Sequence, residues 1–289
     1  MINLLRDTYD LHIHCAPDVV ERSVTGLEMT KRAVESEMKG FALKAHYGST
    51  AQQAAVLRNI YPECNVVGAI TLNAVVGGIN PIAVENAARQ GAKIVWCPTF
   101  DSPGQQSYYL KNYPNYMSLH KKLSEKNIPV PTFSVLDEEG KISRAMQNVL
   151  EIVMDYNMVL GTGHISHKEC FALAEETHRR GFKKLLVTHA DWSFTKYTLE
   201  EQIRLIELGA SIEHSYTSAT EEQSWMVFSD TLRKTGIEHV VLSTDLGQKR
   251  NEFPDVGFRK YAEILMENGF SLPELKQMMA DKPAELVET

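Results

Sequence analysis

No apolar run in the chain approaches the roughly 20 residues that cross a bilayer as a helix. The opening stretch, Met-Ile-Asn-Leu-Leu-Arg-Asp-Thr, has neither the basic start nor the long apolar segment of a secretory leader. These absences predict a cytoplasmic protein with no membrane partner. Cysteine is scarce: Cys15, Cys64, Cys97 and Cys170 stand at unpaired spacings, which excludes a disulfide framework and a cysteine zinc knuckle. Sustained basic runs are missing and the formal net charge is -7, so nucleic acid is not an expected partner. There is no linker, low-complexity tract or short internal repeat, and residues 1–289 read as one domain. With 43% hydrophobic and 23% charged residues, the chain has an ordinary globular composition and enough length for a large core.

Short apolar runs alternate with amphipathic stretches along the whole chain. Eight runs read as buried strands: Tyr9–His14, Phe41–His46, Val66–Asn73, Lys93–Thr99, Met158–His164, Lys184–Ala190, Ala210–Tyr216 and Val240–Asp245. Helical patterns lie between them, among them Gly26–Met38, Ala51–Ile60, Pro81–Arg89, Cys170–Arg180 and Leu199–Leu208. This alternation implies βαβ units, and eight of them predict an α/β protein closed into a (β/α)8 TIM barrel. Ser166 with Glu169 and Thr198 with Glu201 have capping-box spacing. Gly40, Gly91, Gly181 and Gly209 fall where helices should end before the next strand. Two segments break the rhythm. Phe100–Tyr116, with Tyr108, Tyr109, Tyr113 and Tyr116, reads as a long loop, either a substrate lid or a covering loop. Ile128–Leu136 followed by Asp-Glu-Glu-Gly reads as an extra strand and turn.

In a barrel of this type the reacting groups sit at the C-terminal ends of strands. The first strand carries His12 and His14, two residues apart and hence on one face, roughly 7 Å from each other along the strand. The fifth strand ends in His164, the sixth in His189 and the eighth in Asp245. Any one of these is ordinarily a hydrogen-bonded structural residue or a cap. Together they form a set of imidazoles and a carboxylate, the usual ligands of a catalytic divalent ion.

This ordered set resembles the amidohydrolase superfamily, in the His12-Ile13-His14 pair, His164, His189 and Asp245, over nearly the whole chain. The ending Asp281-Lys282-Pro283-Ala284-Glu285-Leu286 is similar to the segment that often closes those barrels. The resemblance implies hydrolysis of an amide, ester or lactone bond of a small substrate at one or two divalent ions, zinc first and manganese or iron as alternatives. It implies that His12, His14, His164 and His189 are ligands or near-ligands. It makes Asp245 both a ligand and the group that takes the proton from water. One departure is plain: the fourth strand, Ile94-Val95-Trp96-Cys97-Pro98-Thr99, carries neither the lysine nor the glutamate that bridges two ions in that superfamily. Cys97 is a soft ligand or an inert apolar residue, and Lys44 is an alternative bridge if carboxylated. One principal metal is therefore expected.

Lys44 and His46 share a face at the end of the second strand. An inward lysine is costly without an anionic partner, so the pair is expected to bind a carboxylate or phosphate of the substrate, or to polarise its carbonyl. On the seventh strand, Glu213 and His214 face opposite ways and only one can reach the mouth. His120, His178 and His239 read as bystanders, His167 as an exposed residue near the site, and Lys249 and Arg250 as a solvated loop that can steer an anion. Two rivals remain. The Asp10-Leu11-His12-Ile13-His14 opening also suits a polymerase-and-histidinol-phosphatase type (PHP) phosphoesterase, and a barrel can hold a metal without catalysis. A small molecule is the expected partner, and a homo-oligomer is compatible with the sequence.

Overall fold

All eight expected strands form in the computed structural model, which describes residues 3–113, 117–221 and 223–288. They are β1 (Tyr9–Ile13), β2 (Gly40–Leu43), β3 (Asn65–Thr71), β4 (Ala92–Trp96), β5 (Val159–Gly161), β6 (Leu185–Val187), β7 (Ser211–Ser215) and β8 (Val240–Ser243). They are hydrogen-bonded in sequence order, each parallel to the next. The sheet closes where His14 N donates to Leu246 O at 2.8 Å and Asp245 N donates to His12 O at 2.9 Å. The protein is a (β/α)8 TIM barrel.

Helices α1 (Gly26–Glu35), α2 (Ala51–Ile60), α3 (Pro81–Arg89), α4 (Pro103–Asn112), α5 (Ser118–Ser124) and α6 (Arg144–Asp155) accompany the first five strands. The second half adds α7 (His167–Arg179), α8 (Leu199–Glu207), α9 (Trp225–Thr235), α10 (Pro254–Glu267), α11 (Leu272–Lys276) and α12 (Lys282–Glu288). Both expected capping boxes are present, and a third, Thr25 with Glu28, opens α1. Among the described residues no helix is long and apolar enough to cross a membrane.

Three expectations need correction. Phe100–Tyr116 is not a structureless loop: α4 starts at Pro103, whose ring presets the first helical turn. Tyr116 lies outside the described residues. Ile128–Leu136 forms no strand, because a closed barrel offers no free edge to join; only the turn at Asp137–Gly140 and one bridge, Leu136 to Ile142, are made. Gly91, Gly181 and Gly209 do take the left-handed backbone of a helix end, but Gly40 is the first residue of β2. A Cβ on Gly40 would stand 2.1 Å from the Asn65 carbonyl oxygen, so close packing of β2 on β3 requires glycine there.

The barrel interior is filled by Tyr9, Leu11, Ala42, Val67, Ala69, Ile94, Trp96, Val159, Leu186 and Val241. Leu286 and Val287 of α12 join that cluster and plug the bottom, where Tyr9 Oη donates to Glu288 Oε1 at 2.6 Å. Strict alternation cannot place both Leu11 and His12 inside. The register of β1 against β2 shifts between Asp10 and Ile13, and this irregularity moves the face presented to the interior. Tyr9 and Leu11 fill the core below, while His12 and His14 turn into the mouth. Asp10 anchors the shift: its carboxylate accepts from His12 N (3.1 Å), Thr244 N (3.1 Å) and Thr244 Oγ1 (2.6 Å).

Candidate active site

Several strands end earlier than their apolar runs suggest, because the last residues leave the ladder to reach the mouth. Gly163, His189 and Asp245 all have left-handed backbone, with φ of 60°, 54° and 54°. At Gly163 a side chain would strike the Cys97 carbonyl oxygen at 2.3 Å, so glycine is what lets the chain turn and present His164. For His189 and Asp245 the conformation costs energy and recurs at functional sites in proteins. Both side chains are thereby carried over the barrel axis.

At the centre lies His12, fully buried. Its Nδ1 meets Glu213 Oε1 at 2.8 Å, and that carboxylate also accepts from Ser243 Oγ at 2.7 Å. With the Nδ1 proton held on Glu213, the lone pair is on Nε2. Nε2 lies 3.3 Å from Asp245 Oδ1, and His14 Nε2 lies 3.1 Å from the same oxygen. Asp245 Oδ2 accepts from Thr217 Oγ1 at 3.2 Å. Glu213 is thus the member of the strand-seven pair that enters the barrel. His214 points outward, its Nδ1 2.5 Å from Asp191 Oδ2 and its ring against Phe228.

Two sets of donor atoms converge within 4.8 Å of one another: those of His12, His14 and Asp245, and those of His12, His189 and Glu213. His189 Nδ1 contacts Ser215 Oγ at 3.0 Å, and its ring lies 4.7 Å from that of His12. His164 is in neither set, yet it is buried and neither ring nitrogen has a hydrogen-bond partner. Its ring stands 5.4 Å from His189 and 5.8 Å from His46. Burial holds the imidazoles of His12, His14, His46 and His164 well below the usual histidine range, and that of His189 at about 3. Neutral imidazoles beside a carboxylate are the donor set a divalent ion takes, and buried ring nitrogens without partners are what such an ion would satisfy. The residues fit a metal.

Two cations donate to ring nitrogens of this centre. Lys44 points inward as expected, but it sits beneath the mouth: its Nζ donates to His12 Nε2 at 2.8 Å and lies 4.7 Å above the Trp96 ring. Burial lowers its pKa to about 8, against the pull of the Asp245 and Glu213 carboxylates. Arg22, paired with Asp18 in a buried contact at 2.6 Å, places Nη2 3.3 Å from His14 Nδ1. A guanidinium only donates, so His14 accepts at Nδ1 and carries its proton on Nε2. A metal on His12 Nε2 would displace Lys44, and one on His14 Nε2 would require the His14 proton to move to Nδ1, which breaks the contact with Arg22.

Trp96 takes the inward position at the end of β4, its ring 5.2 Å from His12. Cys97 faces the helices in the outer core, where burial raises its thiol pKa. His46 does line the mouth, with Nδ1 on Thr99 Oγ1 at 2.9 Å. Above these groups opens a cavity of about 610 Å³, lined by His14, His46, His164, His189 and Asp245 together with aromatic and polar loop residues. That volume suits a small-molecule ligand. Of the residues read as bystanders, His120 is buried and ties α5 to Asp101, with Nε2 2.5 Å from Oδ1. His167 binds Glu201 at 3.1 Å and stacks on Tyr197, half-buried. Lys249 pairs with Glu21 at 2.9 Å, whereas Arg250 lines the cavity.

Arg22 and Trp192 were not singled out in the sequence, and Asp10 only as part of the strand-one opening. Asp18 and Arg22 stand four apart, but that spacing signals a pair only on a helix, and they lie in a loop.

Fold and mouth together define a TIM barrel with a histidine-rich, carboxylate-bearing centre at the C-terminal ends of its strands. The chain belongs to the family of unknown function DUF6282, whose model matches residues 7–213. No curated protein matches it. Among solved structures it is similar to an amidohydrolase from Pseudomonas aeruginosa (TM-score 0.63, 10% identity, 99% of this chain and 97% of that one). It is also similar to a putative 2-pyrone-4,6-dicarboxylic acid hydrolase from Pseudomonas putida (TM-score 0.63, 11% identity, 98% and 97%). A lactonase from Listeria monocytogenes aligns as well (TM-score 0.55, 11% identity, 99% and 96%). At these identities the likeness is one of fold.

Proposed function

We propose that the protein is a metal-dependent hydrolase acting on an amide, ester or lactone bond of a small anionic substrate. The observation that carries this reading is the convergence of His12, His14 and Asp245 around one point at the barrel mouth. His12 Nε2, His14 Nε2 and Asp245 Oδ1 would hold a divalent ion, zinc first and manganese or iron as alternatives, with His189 and His164 beside it. When bound, such an ion polarises the substrate carbonyl and makes water acidic enough to react at neutral pH.

The chain's own groups supply the rest. Glu213 fixes the tautomer and aim of His12 through the 2.8 Å bond to Nδ1, as an outer partner does for a ligating histidine. Asp245 takes the proton of the attacking water and returns it to the leaving group. Lys44, once released from His12, faces the oxygen on which negative charge develops. His46, His164 and the aromatic walls exclude bulk water. Trp96 in the place of a strand-four bridge favours one principal ion.

Elemental analysis of the purified protein is expected to show about one zinc, manganese or iron per chain. A panel of lactones, esters, amides and phosphoesters should show turnover on the first three classes, removed by a chelator and restored by the ion. A metal-free protein, or phosphoester turnover alone, would overturn the reading. Because Lys44 and a metal share one lone pair of His12, Lys44→Met is expected to tighten zinc binding by about tenfold, the weight of one charge-assisted hydrogen bond. Competition with a chromophoric chelator measures this. Weakened binding would instead mark Lys44 as a ligand after carboxylation.

A further inference from the structure

The two sides of the cavity differ in chemistry. On the side of β2, β4, β5 and β6 the wall is made of π faces. Phe100 stacks on His46 at 3.9 Å and 20°, and Tyr109 lies 4.8 Å from Phe100. Trp192, in the loop after β6, lies 6.0 Å from Tyr109, 5.1 Å from His164 and 5.7 Å from His189. Trp192 is only half-buried, so its ring remains open to the cavity it borders. It thus borders both the cavity and the rings of His164 and His189.

The opposite side, built by the loop after β8, carries Arg250. Its side chain is exposed and forms no ion pair among the described residues. The two glutamates that line the same cavity are occupied. Glu252 accepts from Tyr216 Oη at 2.9 Å and pairs with Lys260, and Glu221 accepts from Ser193 N at 3.1 Å. An unpaired guanidinium facing a wall of aromatic rings is suited to a flat molecule with an anionic end. A cationic ligand, which aromatic walls also attract, would meet Arg22 and Arg250 in the same cavity.

We propose that the cavity takes a planar, conjugated ring acid, its ring lying on Trp192 with its edge toward Tyr109 and its carboxylate on Arg250. This names the substrate class of the hydrolase reading and rests on it for turnover, but it is tested by binding alone. Offset stacking of a flat ring on indole adds to the area it buries, which a puckered saturated ring cannot reproduce. A bidentate contact to a guanidinium fixes the direction of the carboxylate.

Calorimetric titration with benzoate, cyclohexanecarboxylate and uncharged benzamide tests the assignment. Benzoate is expected to bind about tenfold tighter than cyclohexanecarboxylate. Trp192→Leu should erase that preference, whereas Trp192→Phe, which keeps a π face, should retain most of it. Arg250→Gln should reduce benzoate to the affinity of benzamide. Equal affinities for the flat and saturated acids, a preference that survives Trp192→Leu, an ineffective Arg250→Gln, or no benzoate binding at millimolar concentration would each overturn the proposal. Turnover of aliphatic lactones without any preference for benzoate would overturn this assignment and leave the hydrolase reading intact. A benzoate preference in a protein that hydrolyses nothing would do the reverse.

Discussion

Asp245→Asn is expected to lower turnover by about a thousandfold, the usual weight of a positioned proton acceptor, while the barrel still folds. Asparagine keeps the size of the side chain and can still meet Thr217 and His14. It also accepts the left-handed backbone at φ 54° as readily as aspartate does. What it loses is the capacity to take a proton and the negative charge beside His12, His14 and Lys44. Because a neutral amide oxygen is a weaker ligand than a carboxylate, metal content must be measured on the same sample. Retained metal with lost turnover assigns Asp245 the proton. Loss of both, with activity restored by excess ion, makes it a ligand alone. Full activity in a metal-loaded variant would remove Asp245 from the chemistry. Thermal unfolding near that of the parent chain separates all three from misfolding.

The barrel was legible because parallel strands buried on both faces are written as short β-branched runs, and each helix between them is amphipathic. The mouth was legible for a related reason: His12, His14, His164, His189 and Asp245 are polar residues at the ends of otherwise apolar runs. What could not be read was how they turn. The register shift at Asp10–Ile13 and the left-handed residues His189 and Asp245 are local backbone events that leave no periodic trace. Glu213 and His214 are adjacent and equally polar, so alternation left two choices, which the buried bond from His12 to Glu213 decides. Lys44 was correctly expected to point inward, but its contact with an imidazole joins residues 32 apart in the chain, beyond any motif. The opposite error occurred at Phe100–Tyr116. Its tyrosines, glycine and proline suggested a loop, whereas Pro103 starts a helix and Tyr109 supplies part of the cavity wall.

The same buried histidines predict an acid-labile protein once metal is removed. His12, His14, His46, His164 and His189 all have imidazole pKa values depressed from the ordinary 6.5 by burial, so the folded chain keeps them neutral. Above that pH both folded and unfolded chains are neutral at these positions, and their contribution to stability is fully present. Below it the unfolded chain takes up protons that the folded chain refuses, and stability falls until the folded values are reached, about 3 for His189. Each such group costs about 1.4 kcal/mol per pH unit. Two carboxyls act in the other direction. Burial pushes Asp10 up to about 7 and raises Glu213, so the folded chain binds their protons first and gains stability as the pH falls. Five imidazoles outnumber two carboxyls, so on balance stability falls as the pH drops below 6.5. A typical domain is stable by only about 5–15 kcal/mol, so a loss shared by several rings should unfold the metal-stripped chain in mild acid. Urea titrations at half-unit steps from pH 7.5 to 5 measure the slope. Bound zinc should raise stability at neutral pH and steepen the loss, since protons then also compete with the ion. His164→Gln removes an imidazole whose nitrogens make no hydrogen bond, and it should flatten the slope by about one proton without moving the other groups. A midpoint that stays level from pH 7.5 to 5 in the stripped protein would mean that these rings take up protons in the folded chain as they do in the unfolded one, so that burial does not hold them neutral.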